Sequence, residues 1–388
     1  MNSTTVTRLL LVVLATYVTG CANVNPYYDE KRAHRTERGF TNTDGVTIKK
    51  PLSDVLAWQM HRTLNSLPPK PQTPTPQVVA DLTFIHANAK AVQSMVPAVT
   101  WIGHASTLVQ ASGLNVLTDP IFSEYAGPVK YVAPRRTQAP GLALAQLPKI
   151  DVVLISHNHY DHLDAPSILE LNQQVGGPPL FLVPLGIKEW MNDLGVTTVR
   201  EMDWWHTYRV NEVIFMMTPV RHWSARNGND FNQSLWGGWA VMGTTFHWYF
   251  SGDTAYSNDF TSTKNRVNTL QTREQGGGFD LALIGIGAYE PRWFMSEQHV
   301  NPSEAIKIHQ DLGAKRSIGV HWGTFNLSDE ALDQPPRDLV EASDAAGMGK
   351  DEFSVMAIGE TRQFPIRIQA SASPSVAIGN DANVTLSP

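Results

Sequence analysis

The sequence predicts a layered α/β protein in which helices cover β-sheets. Three observations carry this. Short β-rich runs bounded by Gly, Pro and Asp begin at Ala98 and continue to Val320. The early runs come in hairpin spacing, and the later ones alternate with helical stretches. The chain has 388 residues, 42% apolar and 17% charged, enough to bury a large core without cross-links. Whether the strands form one sheet or two is left open at this level.

The elements follow in order. Arg8 precedes an apolar run from Leu9 to Val18, too short to span a bilayer. The run ends in Val18-Thr19-Gly20-Cys21. This resembles the signal peptide (1–20) and lipobox of a bacterial lipoprotein, which implies cleavage before Cys21 and its lipidation. Several acyl chains hold a protein to a membrane firmly where one does not. The other reading is an ordinary secretory peptide with an incidental Cys. Either one places the protein outside a bacterial cytoplasm. The lipid anchor would hold it to the cell envelope, on the periplasmic side of the outer membrane. Cys21 is the sole cysteine, so no intramolecular disulfide forms.

Residues 21–97 read as a tether and N-terminal extension. Asn23 to Lys50 is polar and charged, as a tether would be. Leu52 to Leu67 has helical spacing, with Leu52, Val55, Leu56, Met60 and Leu64 on one face. Pro68 to Pro76 is an extended proline-rich connector, and Gln77 to Met95 a possible further helix. Strands are expected at Ala98–Ile102, Thr107–Ala111, Asn115–Thr118, Asp151–Ser156, Leu180–Val183, Val213–Val220, Thr245–Phe250, Phe279–Ile286 and Arg316–Val320. Helices are expected at Pro166–Val175, Ile187–Leu194 and Pro302–Leu312. One folded domain therefore spans 98–368, and 369–388 reads as a loose tail. The net charge of −6 offers no basic field, which excludes general nucleic-acid binding. The chain has 11 Trp, and Trp101, Trp223, Trp248 and Trp322 at strand ends are expected to pack rather than to meet a membrane.

Chemistry gathers where the strands end. The run Asp151–Ser156 leads into His157-Asn158-His159-Tyr160-Asp161-His162. Val213–Val220 leads to His222, Thr245–Phe250 to Asp253, and Arg316–Val320 to His321. Ligands in α/β folds collect at this edge. Imidazole and carboxylate suit zinc and its neighbours. In an extended loop, residues two apart project together. His157 and His159 can therefore grip one ion while Asp161 and His162 turn to a second. His222 and His321 complete the two sets, and Asp253 bridges. Two ions ~3.5–4 Å apart would make water nucleophilic near neutral pH.

The His-x-His-x-Asp-His run is similar to the signature of the metallo-β-lactamase superfamily. Further blocks narrow the resemblance: Trp101 to Thr107, Asp119 to Ser123, Thr218 to Trp223, Ser251 to Thr254, Gln298 to Pro302 and His321 to Phe325. Together they resemble the phospholipase D family that hydrolyses N-acylphosphatidylethanolamine, over roughly Val99 to Ile366. The resemblance implies an αββα four-layer sandwich and two Zn2+, or another divalent transition metal. His157, His159 and His222 would hold one ion, Asp161, His162 and His321 the other, with Asp253 shared. It also implies phosphodiester hydrolysis of a phospholipid-like substrate by attack of an ion-held hydroxide on phosphorus.

Asp161, Asp253 and His299 are the candidate catalytic residues, and Tyr160 and His299 the candidate substrate contacts. His299 either faces the phosphate or orients a ligand. His104 reads as a supporting or core residue. Other readings of the same residues are a sugar-phosphate lactonase, a broad phosphodiesterase, or a non-enzymatic envelope lipoprotein.

Overall fold

The computed structural model describes residues 24–271 and 277–367. The expected signal peptide, Cys21 and the tail 369–388 lie outside them. The described chain opens with a small hairpin, β1 (Arg35–Thr36) and β2 (Gly39–Phe40), then helices α1 (Leu52–Asn65) and α2 (Leu82–Lys90). A first sheet follows from β3 (Ala98–Gly103), β4 (Ser106–Ala111), β5 (Leu114–Thr118), β6 (Val152–Leu154), β7 (Leu180–Pro184) and β8 (Val199–Met202). Helices α3 (Ala165–Asn172) and α4 (Lys188–Asp193) connect its later strands. The second sheet holds β9 (Thr207–Val210), β10 (Val213–Thr218), β11 (Gly238–Met242), β12 (His247–Phe250), β13 (Leu281–Gly285), β14 (Ser317–Val320) and β15 (Phe353–Ser354). Helices α5 (Asp259–Leu270), α6 (Arg292–Met295), α7 (Pro302–Leu312) and α8 (Gln334–Ala345) fall between them. Strand β16 (Thr361–Gln363) returns to pair with β3.

Both sheets have seven strands, in the orders β16-β3-β4-β5-β6-β7-β8 and β15-β14-β13-β12-β11-β10-β9. Each is antiparallel in one half and parallel in the other. Register explains the layering. Val152 and Leu154 point into the core between the sheets, with Trp239, Phe250 and Leu283 opposite. Val153 and Ile155 point the other way, against Ile168 of α3 and Met191 of α4. On the far face of the second sheet, α5 and α7 bury Phe260, Val267, Ile308 and Leu312. The result is the expected αββα sandwich, a period-2 pattern covered on both sides by helices.

Local signals set the helix ends. Asn301 caps α7 by accepting from Glu304 N–H at 2.9 Å, and the Glu304 carboxylate accepts from Asn301 N–H at 3.0 Å. Pro302 opens the helix, and Gly313, at φ +61°, ends it. This cap fixes the exit of the segment that carries Gln298 and His299.

The N-terminal segment corrects three expectations. Residues 24–50 are not a solvated tether. Arg32, His34 and Arg35 converge on Asp203 at 3.0, 2.7 and 2.6 Å, and its carboxylate is fully buried. Phe40 enters the main core. Charges that read as hydrated are committed to one interior carboxylate, which burial makes costly to leave unpaired. In α1, the apolar row Leu52, Leu56, Met60 and Leu64 faces solvent at 58–77% exposure. The helix docks instead through Trp58, whose ring stacks on Phe294 at 4.7 Å and whose Nε1–H donates to Asp329 at 2.9 Å. The expected helix at 77–95 shortens to α2, because Asp81 caps it by accepting from Phe84 N–H. Among the described residues, no helix is long and apolar enough to cross a membrane. Trp101, Trp248 and Trp322 are packed as expected, whereas Trp223 faces a cavity, its ring edge-on to His159 at 4.3 Å.

Candidate metal centre

The four stretches named from the sequence meet at one edge of the sandwich. The loop after β6 brings His157, His159, Asp161 and His162. The segments after β10, β12 and β14 bring His222, Asp253 and His321. His157 Nε2 lies 2.8 Å and His222 Nε2 3.3 Å from His159 Nδ1. Three imidazole nitrogens thus point at one another, and His159 Nε2 is buried without a hydrogen-bond partner. Beside them, Asp161 Oδ2 lies 3.3 Å from His162 Nε2 and 3.4 Å from His321 Nε2. Neither of those nitrogens makes a hydrogen bond.

Asp253 stands between the two groups. Its Oδ2 is 3.1 Å from His162 Nε2, 3.8 Å from His222 Nε2 and 3.9 Å from His157 Nε2, while Oδ1 is 3.2 Å from His321 Nε2. The approach needs Gly252, at φ +56°, where a Cβ would lie 2.4 Å from Ser156 Cβ. Another lies at Gly287, where a Cβ would meet His321 O at 2.0 Å. His321 itself holds φ +63°, a conformation its surroundings must enforce.

Electrostatics fit a cation pair. Burial, reinforced by neighbouring imidazoles, pushes His157 well below its ordinary range and His159 to about 3. Burial also takes His222 to about 4, against the pull of Asp253. All three stand as neutral lone-pair donors. At His162 and His321, burial acts the same way but the carboxylates, Asp253 first, outweigh it. They draw His162 well above its range and His321 to about 9. Burial alone would raise Asp161 and Asp253, yet the imidazoles hold both well below the carboxylate range. A buried carboxylate, Asp253, and a partly exposed one, Asp161, ringed by imidazoles with orphaned nitrogens form a donor set for divalent transition metals.

A supporting shell fixes the ring orientations. His162 Nδ1–H donates to Asp119 Oδ2 at 2.7 Å, which turns Nε2 inward. Burial pushes the Asp119 carboxyl up, while His162 and Ser156 pull it down. Ser156 donates to Asp119 through N–H at 2.7 Å and Oγ at 2.5 Å, and its Oγ meets His157 Nδ1 at 2.9 Å. His222 Nδ1–H donates to Gln298 O at 3.0 Å. His104 supports the site: its Nε2 lies 2.9 Å from Asp161 Oδ2 and its ring 4.1 Å from that of His321. In the sequence, Asp119 stands out only as part of the block Asp119 to Ser123, without a role, and Arg226 not at all. The Arg226 guanidinium lies over the Tyr160 ring at 4.1 Å and donates to Asn158 O and Leu163 O at 2.8 and 2.7 Å, bracing the ligand loop.

A cavity of about 670 Å³ opens onto the site. His159, Asp161, Asp253, His299 and His321 form its floor, with Tyr160 beside them. Apolar walls come from Val55 and Trp58 of α1, Phe294 and Met295 of α6, and Trp223 and Phe231; Lys49 and Lys50 also line it. His299 Nδ1 lies 3.9 Å from Asp253 Oδ2, and burial lowers its basicity well below the ordinary range.

Comparison with known proteins agrees with this geometry. A family model described as a β-lactamase superfamily domain matches residues 114–322. The chain is 38% identical over 275 residues to the N-acyl-phosphatidylethanolamine-hydrolyzing phospholipase D 1 of Caenorhabditis elegans, covering 67% of this chain and 74% of that one. It is also 38% identical over 275 residues to the mitochondrial N-acyl-phosphatidylethanolamine-hydrolyzing phospholipase D of Saccharomyces cerevisiae, covering 68% of this chain and 55% of the yeast protein. The solved structure of an isothiocyanate hydrolase from Delia radicum gut bacteria superposes with a TM-score of 0.53 at 17% identity, covering 69% of this chain and 99% of that one. That likeness speaks to the fold. With the donor set at the sandwich edge, these findings establish that the chain belongs to the metallo-β-lactamase superfamily, as a metal-dependent hydrolase related to the N-acylphosphatidylethanolamine-hydrolysing phospholipases D.

Proposed function

We propose that this protein is a zinc-dependent phosphodiesterase that hydrolyses phospholipid-like substrates on the alcohol side of the phosphorus, as its relatives' names describe for N-acylphosphatidylethanolamine. The observation that carries the reading is the pairing of two donor groups through Asp253 beneath a cavity with apolar walls. His157, His159 and His222 would hold one cation, and Asp161, His162 and His321 the other. Bound there, two divalent cations would make water nucleophilic at neutral pH and neutralise charge on the phosphoryl oxygens.

The chain's own residues do the rest. Asp119 and the Gln298 carbonyl keep Nε2 of His162 and His222 free to donate. Ser156 Oγ does the same for His157. His299 and Tyr160 face the space above Asp253 and Asp161, where each can donate to a phosphoryl oxygen. Lys49 brings positive charge to the cavity wall, suited to an anionic diester, while Lys50 on the same wall is paired with Glu297 at 2.8 Å. Val55, Trp58, Phe294 and Met295 exclude water beside it and offer an apolar surface to acyl chains.

We also propose that Cys21 carries a lipid anchor that holds the enzyme to the bacterial envelope, near membrane substrate. The test of function is product analysis by mass spectrometry. N-acylphosphatidylethanolamine, a soluble aryl phosphodiester and a sugar-phosphate lactone are offered in parallel to the zinc-loaded protein. Phosphatidic acid with N-acylethanolamine as the preferred products supports the reading. Preferred opening of the lactone, or preference for the soluble diester, overturns it.

A further inference from the structure

The ligand His222 is held by a residue from a remote part of the chain. Strand β10 ends at Thr218, so the backbone of His222 has left the sheet ladder while remaining buried. Its N–H donates to Asn42 Oδ1 at 3.0 Å, and Asn42 Nδ2 donates back to His222 O at 3.0 Å. One carboxamide thus serves the donor and the acceptor of one residue, as a neighbouring strand would. Among side chains, only Asn and Gln offer a C=O and an N–H at one planar terminus. Asn42 is itself fixed. It is buried, Trp236 Nε1–H donates to its Oδ1 at 3.1 Å, and its Nδ2 also reaches Val46 O at 3.0 Å. The arm continues from this clamp to Lys49 and Lys50 on the cavity wall.

We propose that Asn42 of the N-terminal arm is a positioning residue that sets His222 for the His157/His159/His222 ion. The inference rests on His222 being a ligand, but not on the identity of the substrate. Removing the amide leaves a buried N–H and C=O without partners, and the loop must shift to satisfy them. The ring then loses its alignment with His157 and His159.

The experiment measures Zn2+ affinity of the whole chain by competition with a chromophoric chelator, and the visible spectrum of the Co2+-loaded form. The variants are Asn42→Ala, Asn42→Asp and Asn25→Ala. Asn42→Asp keeps the acceptor and loses the donor, so it reports even where Asn42→Ala does not fold. Asn25 is the control. It is equally buried and ties the same arm together, donating to Thr36 O and Gly39 O at 3.0 and 2.9 Å, but it touches no ligand. Both Asn42 variants are expected to weaken one Zn2+ equivalent by about 10- to 100-fold and to alter the Co2+ spectrum, while Asn25→Ala leaves both as in wild type. Wild-type affinity and spectrum in either Asn42 variant overturns the proposal, as does equal weakening by Asn25→Ala. Wild-type protein that takes up no metal overturns the ligand reading itself.

Discussion

Asp119→Asn probes the supporting shell by changing one atom type. The carboxylate is fully buried and takes Ser156 N–H at 2.7 Å on Oδ1, and Ser156 Oγ–H at 2.5 Å and His162 Nδ1–H at 2.7 Å on Oδ2. A carboxylate accepts all three, whereas a carboxamide has one acceptor oxygen and an NH2 that only donates. With its oxygen towards Ser156 N–H, the amide turns the NH2 to His162 Nδ1. That nitrogen must then accept, and the ring proton moves to Nε2, the atom facing Asp161 and Asp253. With the amide flipped, two donors collide at Ser156 N–H. Loss of such a partner costs about 10- to 100-fold in metal affinity, or about 1.4–2.7 kcal/mol. The cost falls on the Asp161/His162/His321 group, because the Ser156 hydroxyl can still accept from His157 Nδ1. Chelator competition at pH 7 should resolve one Zn2+ equivalent near wild-type affinity and one weakened by that factor. Two equivalents at wild-type affinity would show that Asp119 does not set the His162 tautomer.

Further outcomes follow from the same contacts. Burial opposes charge on Asp203, but His34 and Arg35 hold its carboxyl at about 2, so the arm's stabilisation is complete above the unfolded value near ~4 and fades as pH falls towards 2. Asp203→Asn should cost about 1–2 kcal/mol at pH 7 and progressively less in acid, read by urea denaturation of both proteins from pH 7 to 3; an equal cost at both ends contradicts it. Trp58→Ala should destabilise the docking of α1 by about 3 kcal/mol, while Leu56→Ser, on the exposed row, should change stability by less than about 0.5 kcal/mol; limited proteolysis near residue 66 reads the difference. Cys21→Ser should release the protein from the membrane fraction without changing its metal content; retention in membranes would argue for an uncleaved helix or another lipid contact.

The candidate metal ligands could be picked out because each follows an apolar strand and four of them crowd into six residues. The apolar run Asp151 to Ser156 located a buried strand, and with it the loop that carries His157 to His162. What escaped notice acts across long separations. Asp119 stands in the sequence only as the first residue of the block Asp119 to Ser123, yet serves a histidine 43 positions on. Asn42 sits in a polar segment and meets His222 180 positions away. The arm looked solvated because composition counts charges without their partners, and Asp203 supplies the missing one. Helix α5 was missed because its sequence, Asp259 to Leu270, is polar and β-branched; it buries only a narrow stripe, Phe260, Thr263 and Val267 among it. Strand β8 alternates weakly, with Arg200 and Glu201 on an edge strand. The outward row on α1 had ideal helical spacing, but Trp58, one of the largest side chains, took the buried face.

Metal stoichiometry of the purified protein and of Asp253→Asn, measured by inductively coupled plasma mass spectrometry beside turnover of N-acylphosphatidylethanolamine, tests the shared-carboxylate centre most directly. Two transition-metal equivalents are expected in the wild type, with a loss of at least one in the variant and no turnover there. Two equivalents with undiminished turnover in Asp253→Asn, or a metal-free wild type that remains active, would contradict the shared-carboxylate centre.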